Sequence, residues 1–232
     1  MEIASALGRL IEPSTVSFQS SSYLVGLVNK KAKVLDAERQ RKQMALHDRK
    51  PRLVPVSKSE HGGGMRLTPW ELLHTLGRAT AFSGSGSSRA LSQHWGCLKY
   101  ITTLQANGHG VMELSDDGKD PRYHRKSVQA EDLGIAFALA AAARIVRSRH
   151  PDYAFEVVDA DVALEAGWAL RGPEVKGRGN TKLRPDYFLV GFKEGEPARV
   201  VTVECKGSHG PADAQHEQLA KAAAAWLMAS AA

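Results

Sequence analysis

Two apolar segments of strand composition, Tyr187–Phe192 and Arg199–Cys205, flank a turn that contains Gly191, Gly195 and Pro197. This pattern predicts a β-hairpin. Side chains alternate along a strand, so Val201, Val203 and Cys205 fall on one face and Val200, Thr202, Glu204 and Lys206 on the other. Asp186 opens the first strand, while Glu204 and Lys206 close the second. Two carboxylates and an ammonium therefore gather at one end of a hairpin built otherwise from Val, Phe and Leu. Such a concentration of charge on apolar strands costs free energy unless the charges are used.

The remaining chain reads as helices with short strands. Residues 23–47 predict a helix with Leu24, Leu27, Val28, Val34 and Leu35 on its apolar side and Lys30, Lys31, Lys33, Arg39, Arg41 and Lys42 around the rest. That basic face is either a phosphate contact or a solvated surface. Residues 52–56 suggest a short strand before the glycine turn at 61–64. Thr68, Pro69 and Glu71 form an N-terminal capping box that starts a helix with Leu72, Leu73 and Leu76 as its buried side. The glycines of residues 81–88 lack the Lys-Ser/Thr ending of a phosphate loop, which excludes that nucleotide site. A helix is expected over 89–105, a strand over 109–114 and a polar connector over 115–125. His94 and Cys97 have ligand-like spacing, but no second pair completes a zinc set. Ser127 is expected to cap a long helix to about residue 149, followed by a strand over 153–158. An Ala-rich helix is expected over 212–229, packed through Leu219, Ala223 and Trp226.

Charge and cysteine content narrow the setting. The net charge of +6 comes from the first 126 residues, whereas 127–232 carries slightly more acids than bases. A basic region joined to an acidic site suits a polyanionic substrate; a wet basic surface is the plainer alternative. No apolar run approaches the ~20 residues of a membrane span. The first residues carry Glu2 and no basic stretch, so a secretory leader is not expected. The 2 cysteines, Cys97 and Cys205, make no disulfide framework, and a reducing cytoplasm is the expected compartment.

Pro185-Asp186 followed by Glu204-Cys205-Lys206 resembles the PD-(D/E)XK motif of the restriction-endonuclease-like nuclease superfamily, over roughly residues 127–229. The resemblance implies an α/β (α+β, mixed-sheet) fold, with an αβββα core in residues 121–232 behind a basic, mainly helical region, 1–120. The core's usual last strand has no counterpart before the chain stops. Another strand of the chain, a second copy or a partner protein would complete the sheet edge, unless the sequence is a fragment.

By the same resemblance, the activity is hydrolysis of nucleic-acid phosphodiesters, DNA favoured over RNA, in restriction, phage defence or repair. Asp186, Glu204 and the Cys205 backbone carbonyl would hold Mg²⁺, with Mn²⁺ able to substitute, and Lys206 would act on the attacking water or the phosphate. Glu131 would be the helix-borne acid of the site. Read from the residues alone, Glu131 is equally a first-turn acid facing the helix dipole, and Asp132 competes with it. Lys176, Arg178, Lys182 and Arg184 form a basic loop beside Asp186 that suits a nucleic-acid backbone or plain solvent. His209 and Gln218 complete the expected nucleic-acid contacts. The alternative is a non-catalytic or partner-gated binding or assembly subunit on the same fold.

Overall fold

The computed structural model describes residues 3–44, 53–81, 91–165, 185–208 and 212–222. In chain order the elements are α1 (Ile3–Leu10), β1 (Ser14–Ser17), α2 (Ser22–Arg41), α3 (Lys58–His61), β2 (Gly64–Leu67), α4 (Pro69–Thr80), α5 (Trp95–Lys99), β3 (Leu104–Ala106) and β4 (Met112–Leu114). They continue as α6 (Asp116–Lys119), α7 (Tyr123–Arg149), β5 (Ala154–Asp159), α8 (Ala160–Glu165), β6 (Tyr187–Phe192), β7 (Arg199–Val203) and α9 (Ala212–Ala222). Helices with small antiparallel sheets make this an α+β protein. No helix among the described residues is long and apolar enough to cross a membrane.

The chain forms two compact units, one from Met1–Gln19 and Lys58–Pro151, the other from Ser20–Ser57 and Asp152–Ala232. This division differs from a boundary at 120/121. It places α7 in the first unit and the basic helix α2 in the second. A cut read from one polar connector misses such an exchange, because contacts rather than sequence neighbours define a compact unit.

In the first unit, α4 begins as expected. The Thr68 hydroxyl accepts the Glu71 N–H at 3.1 Å, and the Glu71 carboxylate accepts the Thr68 N–H at 2.7 Å. Leu72, Leu73 and Leu76 are buried against Leu10, Cys97, Tyr100, Leu104, Leu133 and Ala136. At Gly96, an added methyl would meet the Leu73 carbonyl oxygen at 2.6 Å, so α5 needs glycine there. Within the helix expected over 89–105, residues 91 and 92 are helical, a turn follows at 93 and 94, and Trp95–Lys99 forms α5; β3 comes next and pairs with β4. Ser127 caps nothing: α7 starts at Tyr123 and Ser127 is an exposed residue inside it.

The second unit holds the antiparallel sheet β5-β6-β7. Phe155 lies opposite Gly191, where its ring packs so closely that a Cβ would sit 2.6 Å from it. Phe188 packs on Ala160 and Ala163 of the short helix α8, joined by Val158 and Val190. Asp159 starts α8 by accepting the N–H groups of Asp161 (2.8 Å) and Val162 (3.1 Å). The turn of the hairpin is tied back to β5: Tyr153 donates to Glu196 at 2.6 Å, Lys193 pairs with Glu196 at 2.6 Å, and Arg199 lies over the Tyr153 ring. Helix α2 packs on α9 through Val28, Ala32 and Ala220. Among the described residues of α9 whose burial is given, Ala220 is the buried one, not the expected Leu219, which is 40% exposed; Ala223 and Trp226 lie outside the described residues. No strand forms over the described part of 52–56, and the Val56 N–H donates to the Ser20 hydroxyl instead.

Candidate active site

The register of the hairpin builds the site. Tyr187 pairs with Val203 as the last rung of the β6–β7 ladder. One step further, the same register sets Asp186 opposite Glu204. The Asp186 carbonyl accepts the Ala160 N–H from the end of β5 at 3.2 Å, so all three strands contribute to this edge. Two carboxylates facing each other across a hairpin repel, and two local interactions offset that repulsion.

The first is a departure from the expected strand. The Asp186 Oδ2 accepts the backbone N–H of Cys205 at 2.7 Å, so a side chain continues the hydrogen bonding beyond the ladder. The second is Lys206, whose Nζ lies 2.5 Å from Glu204 Oε1 and 3.5 Å from Asp186 Oδ2. The ammonium thus stands against both carboxylates. The Glu204 side chain is only 10% exposed, against 37% for Asp186 and 32% for Lys206.

Burial governs the ionisation of this group. It raises the pKa of Glu204, the nearby Asp186 charge adds to the rise, and the Lys206 hydrogen bond opposes both. For Lys206, burial works against the charged form, but the Glu204 hydrogen bond and the two carboxylate charges outweigh it, so its pKa is raised. Cys205 is buried, and burial and then the charges of Asp186 and Glu204 push its thiol up to about 12. A thiol held protonated is no nucleophile at neutral pH.

No family model, curated protein or solved structure matches this chain. The geometry therefore carries the functional argument. Asp186, Glu204, Cys205 and Lys206 come together as the hairpin pattern implied. Glu131 belongs to the first unit, exposed on α7, whereas this cluster is built wholly within the second. Its neighbour Asp132 accepts hydrogen bonds from Lys99 and the Tyr100 hydroxyl, both at 2.6 Å, which gives it a local role. Gln218 is half-buried on α9. Lys176, Arg178, Lys182, Arg184 and His209 lie outside the described residues, as does the glycine-rich loop 82–88.

The donor set suits a hard cation in part. Glu204 Oε2 is buried and accepts no hydrogen bond, which is the condition of an oxygen left for a positive partner. Asp186 adds a second carboxylate, and Mg²⁺ characteristically takes one or two carboxylates and keeps several waters. Among the described residues no three His, Cys, Asp or Glu side chains cluster as a complete metal site. His94 and Cys97 are accounted for otherwise: His94 stacks on Trp70 and His74, and the Cys97 thiol donates to the Trp70 carbonyl at 3.8 Å.

Proposed function

We propose that the chain is a metal-dependent phosphodiesterase acting on nucleic acid, DNA before RNA, with its reactive group at the open end of the β6–β7 hairpin. The observation that carries this reading is the orphaned, buried Glu204 Oε2 beside Asp186 and Lys206. Asp186 and Glu204 would hold a divalent cation, with the Cys205 backbone carbonyl as a further oxygen donor. When bound, such a cation supplies Lewis acidity toward a phosphoryl oxygen. Lys206 has a raised pKa, so it remains an ammonium at neutral pH. Its role is then to offset negative charge developing on the phosphate rather than to remove a proton. Asp186 also positions its partner, because its bond to the Cys205 N–H fixes the backbone between Glu204 and Lys206.

One observation favours a second reading. Lys206 already pairs with Glu204 and lies near Asp186, offsetting part of their charge, and that arrangement also suits a binding or partner-gated subunit that performs no cleavage alone.

The deciding experiment is cleavage of labelled double-stranded DNA, single-stranded DNA and RNA with Mg²⁺ or Mn²⁺, beside Asp186→Ala and Lys206→Ala. Cleavage lost in both variants and in chelator supports the nuclease and names its substrate. Equal cleavage by wild type and variants overturns it. No cleavage, with retained nucleic-acid binding, transfers the assignment to the binding subunit.

A further inference from the structure

The first unit contains a half-open cleft of about 780 Å³, within the ~300–1,000 Å³ range typical of ligand sites. Its walls come from α5, the turn after it, and the first turns of α7. Trp95 lines it and is 65% exposed, an indole left in water. Arg122 and Arg125 line it as well, and both are exposed. Among the described residues no carboxylate pairs with either guanidinium; Asp120 lies by Lys126, and Asp116 and Glu113 by Lys119. Lys99, also in the lining, is committed to Asp132 at 2.6 Å. Asp117 is the one carboxylate of the lining among the described residues, so the two arginines leave the cleft positive.

We infer that this cleft binds a nucleotide unit, with the base stacked on Trp95 and its phosphate held by Arg122 and Arg125. Stacking on an indole takes any base through its π-face, and a guanidinium fork matches a phosphate. The combination distinguishes this ligand from two others. An acidic peptide would satisfy the arginines and leave Trp95 unused. An apolar partner helix would cover Trp95 with its exposed neighbours Leu91 and Leu98 but would bury two guanidinium groups without partners. The site lies in the first unit and the Asp186 cluster in the second, so binding here stands or falls separately from catalysis.

The test is binding of a short fluorescent single-stranded oligonucleotide in chelator, read by anisotropy, with a nucleoside monophosphate and inorganic phosphate as competitors. Trp95→Ala should weaken binding by at least about fivefold, with Trp95→Phe retaining more of it. Arg122→Ala with Arg125→Ala should make the salt dependence of log K shallower by about 0.7 for each phosphate that is no longer neutralised. Competition by the monophosphate assigns a free nucleotide to the site; binding of the oligonucleotide without such competition assigns a strand. Either result supports the inference. Affinity unchanged in Trp95→Ala and in the double arginine variant overturns it. So does competition by inorganic phosphate as strong as that by the monophosphate, since no base would then be read. All these residues are exposed, and circular dichroism of each variant checks that the fold is kept.

Discussion

The Asp186 carboxylate accepts the backbone N–H of Cys205 at 2.7 Å, closing the β6–β7 hairpin with a side chain one step past its last ladder pair. The charged end of the hairpin is therefore part of the fold as well as of the candidate site. Variants of Asp186 should separate the two roles. Asp186→Ala leaves a partly buried N–H without its acceptor and should lose about 1–3 kcal/mol of stability. Asp186→Asn keeps an acceptor and should lose about 1 kcal/mol or less, while abolishing any metal-dependent activity. Urea denaturation beside the cleavage assay measures both. Equal destabilisation by Ala and Asn would mean that the hydrogen bond is not what holds this end.

Lys206→Met removes the cation that faces Glu204. Breaking a fully buried pair costs ~3–5 kcal/mol, and this pair is a third exposed on the lysine side, so a loss of about 2 kcal/mol at pH 8 is expected. The loss should shrink toward pH 5, because Glu204, whose pKa burial already raises, takes up a proton more readily once the ammonium is gone. Denaturation of wild type and variant at both pH values tests this. A pH-independent difference would show that the pair contributes little.

Glu204 itself has a raised pKa, caused first by burial and then by the Asp186 charge. The folded state thus holds its proton more tightly than the unfolded chain does. Its stabilising contribution is complete below the ordinary glutamate range and is lost as pH rises through the raised value. Any cation held there competes with that proton. Mg²⁺-induced thermal stabilisation should accordingly strengthen with pH to a point above the ordinary glutamate pKa. Glu204→Gln should abolish that dependence.

Thiol reactivity offers an independent check on the buried face. Burial, and for Cys205 also the carboxylate charges, pushes the Cys205 thiol up to about 12 and the Cys97 thiol to about 11. Both cysteines are buried. Iodoacetamide at pH 7.5, an assay condition about four units below these values, should leave the folded protein unlabelled over a time in which urea-unfolded protein takes two equivalents. Rapid labelling of one thiol would place that cysteine in a different environment.

Two glycines make opposite predictions. Gly96→Ala drives a methyl to 2.6 Å from the Leu73 carbonyl and should cost about 1–3 kcal/mol. Gly26, exposed within α2, has nothing within 4 Å of an added Cβ. Gly26→Ala should stabilise by about 0.5–1 kcal/mol through helix propensity alone. Thermal melts of the two variants decide, and a shift of the same sign in both would contradict the packing described.

Where the sequence could be read, the signal was local. Thr68, Pro69 and Glu71 act within one helical turn, and α4 begins where they place it. The strand composition of Tyr187–Phe192 and Arg199–Cys205 around a glycine-containing turn is also local, and β6 and β7 form there, β7 ending at Val203. Elsewhere a partner segment, rather than local composition, decides the structure. Ser14–Ser17 pairs with Gly64–Leu67 across some fifty residues, a match that neither segment announces. Leu104–Ala106 has helix-compatible residues but becomes a strand because Met112–Leu114 pairs with it. Ser127 has the chemistry of a cap, yet α7 has already begun at Tyr123, and helix packing against α4 sets its length more than one capping side chain does.

Which charged residues stand at the end of the hairpin follows from residue order alone, because Asp186 precedes β6 directly and Glu204 and Lys206 follow β7 directly. How those charges divide is visible only in the folded chain: Asp186 to the Cys205 amide, Lys206 chiefly to Glu204, and Glu204 Oε2 to no partner. That division depends on cross-strand register and on burial. The hairpin turn fixes the register, whereas burial is set by packing that no local pattern specifies.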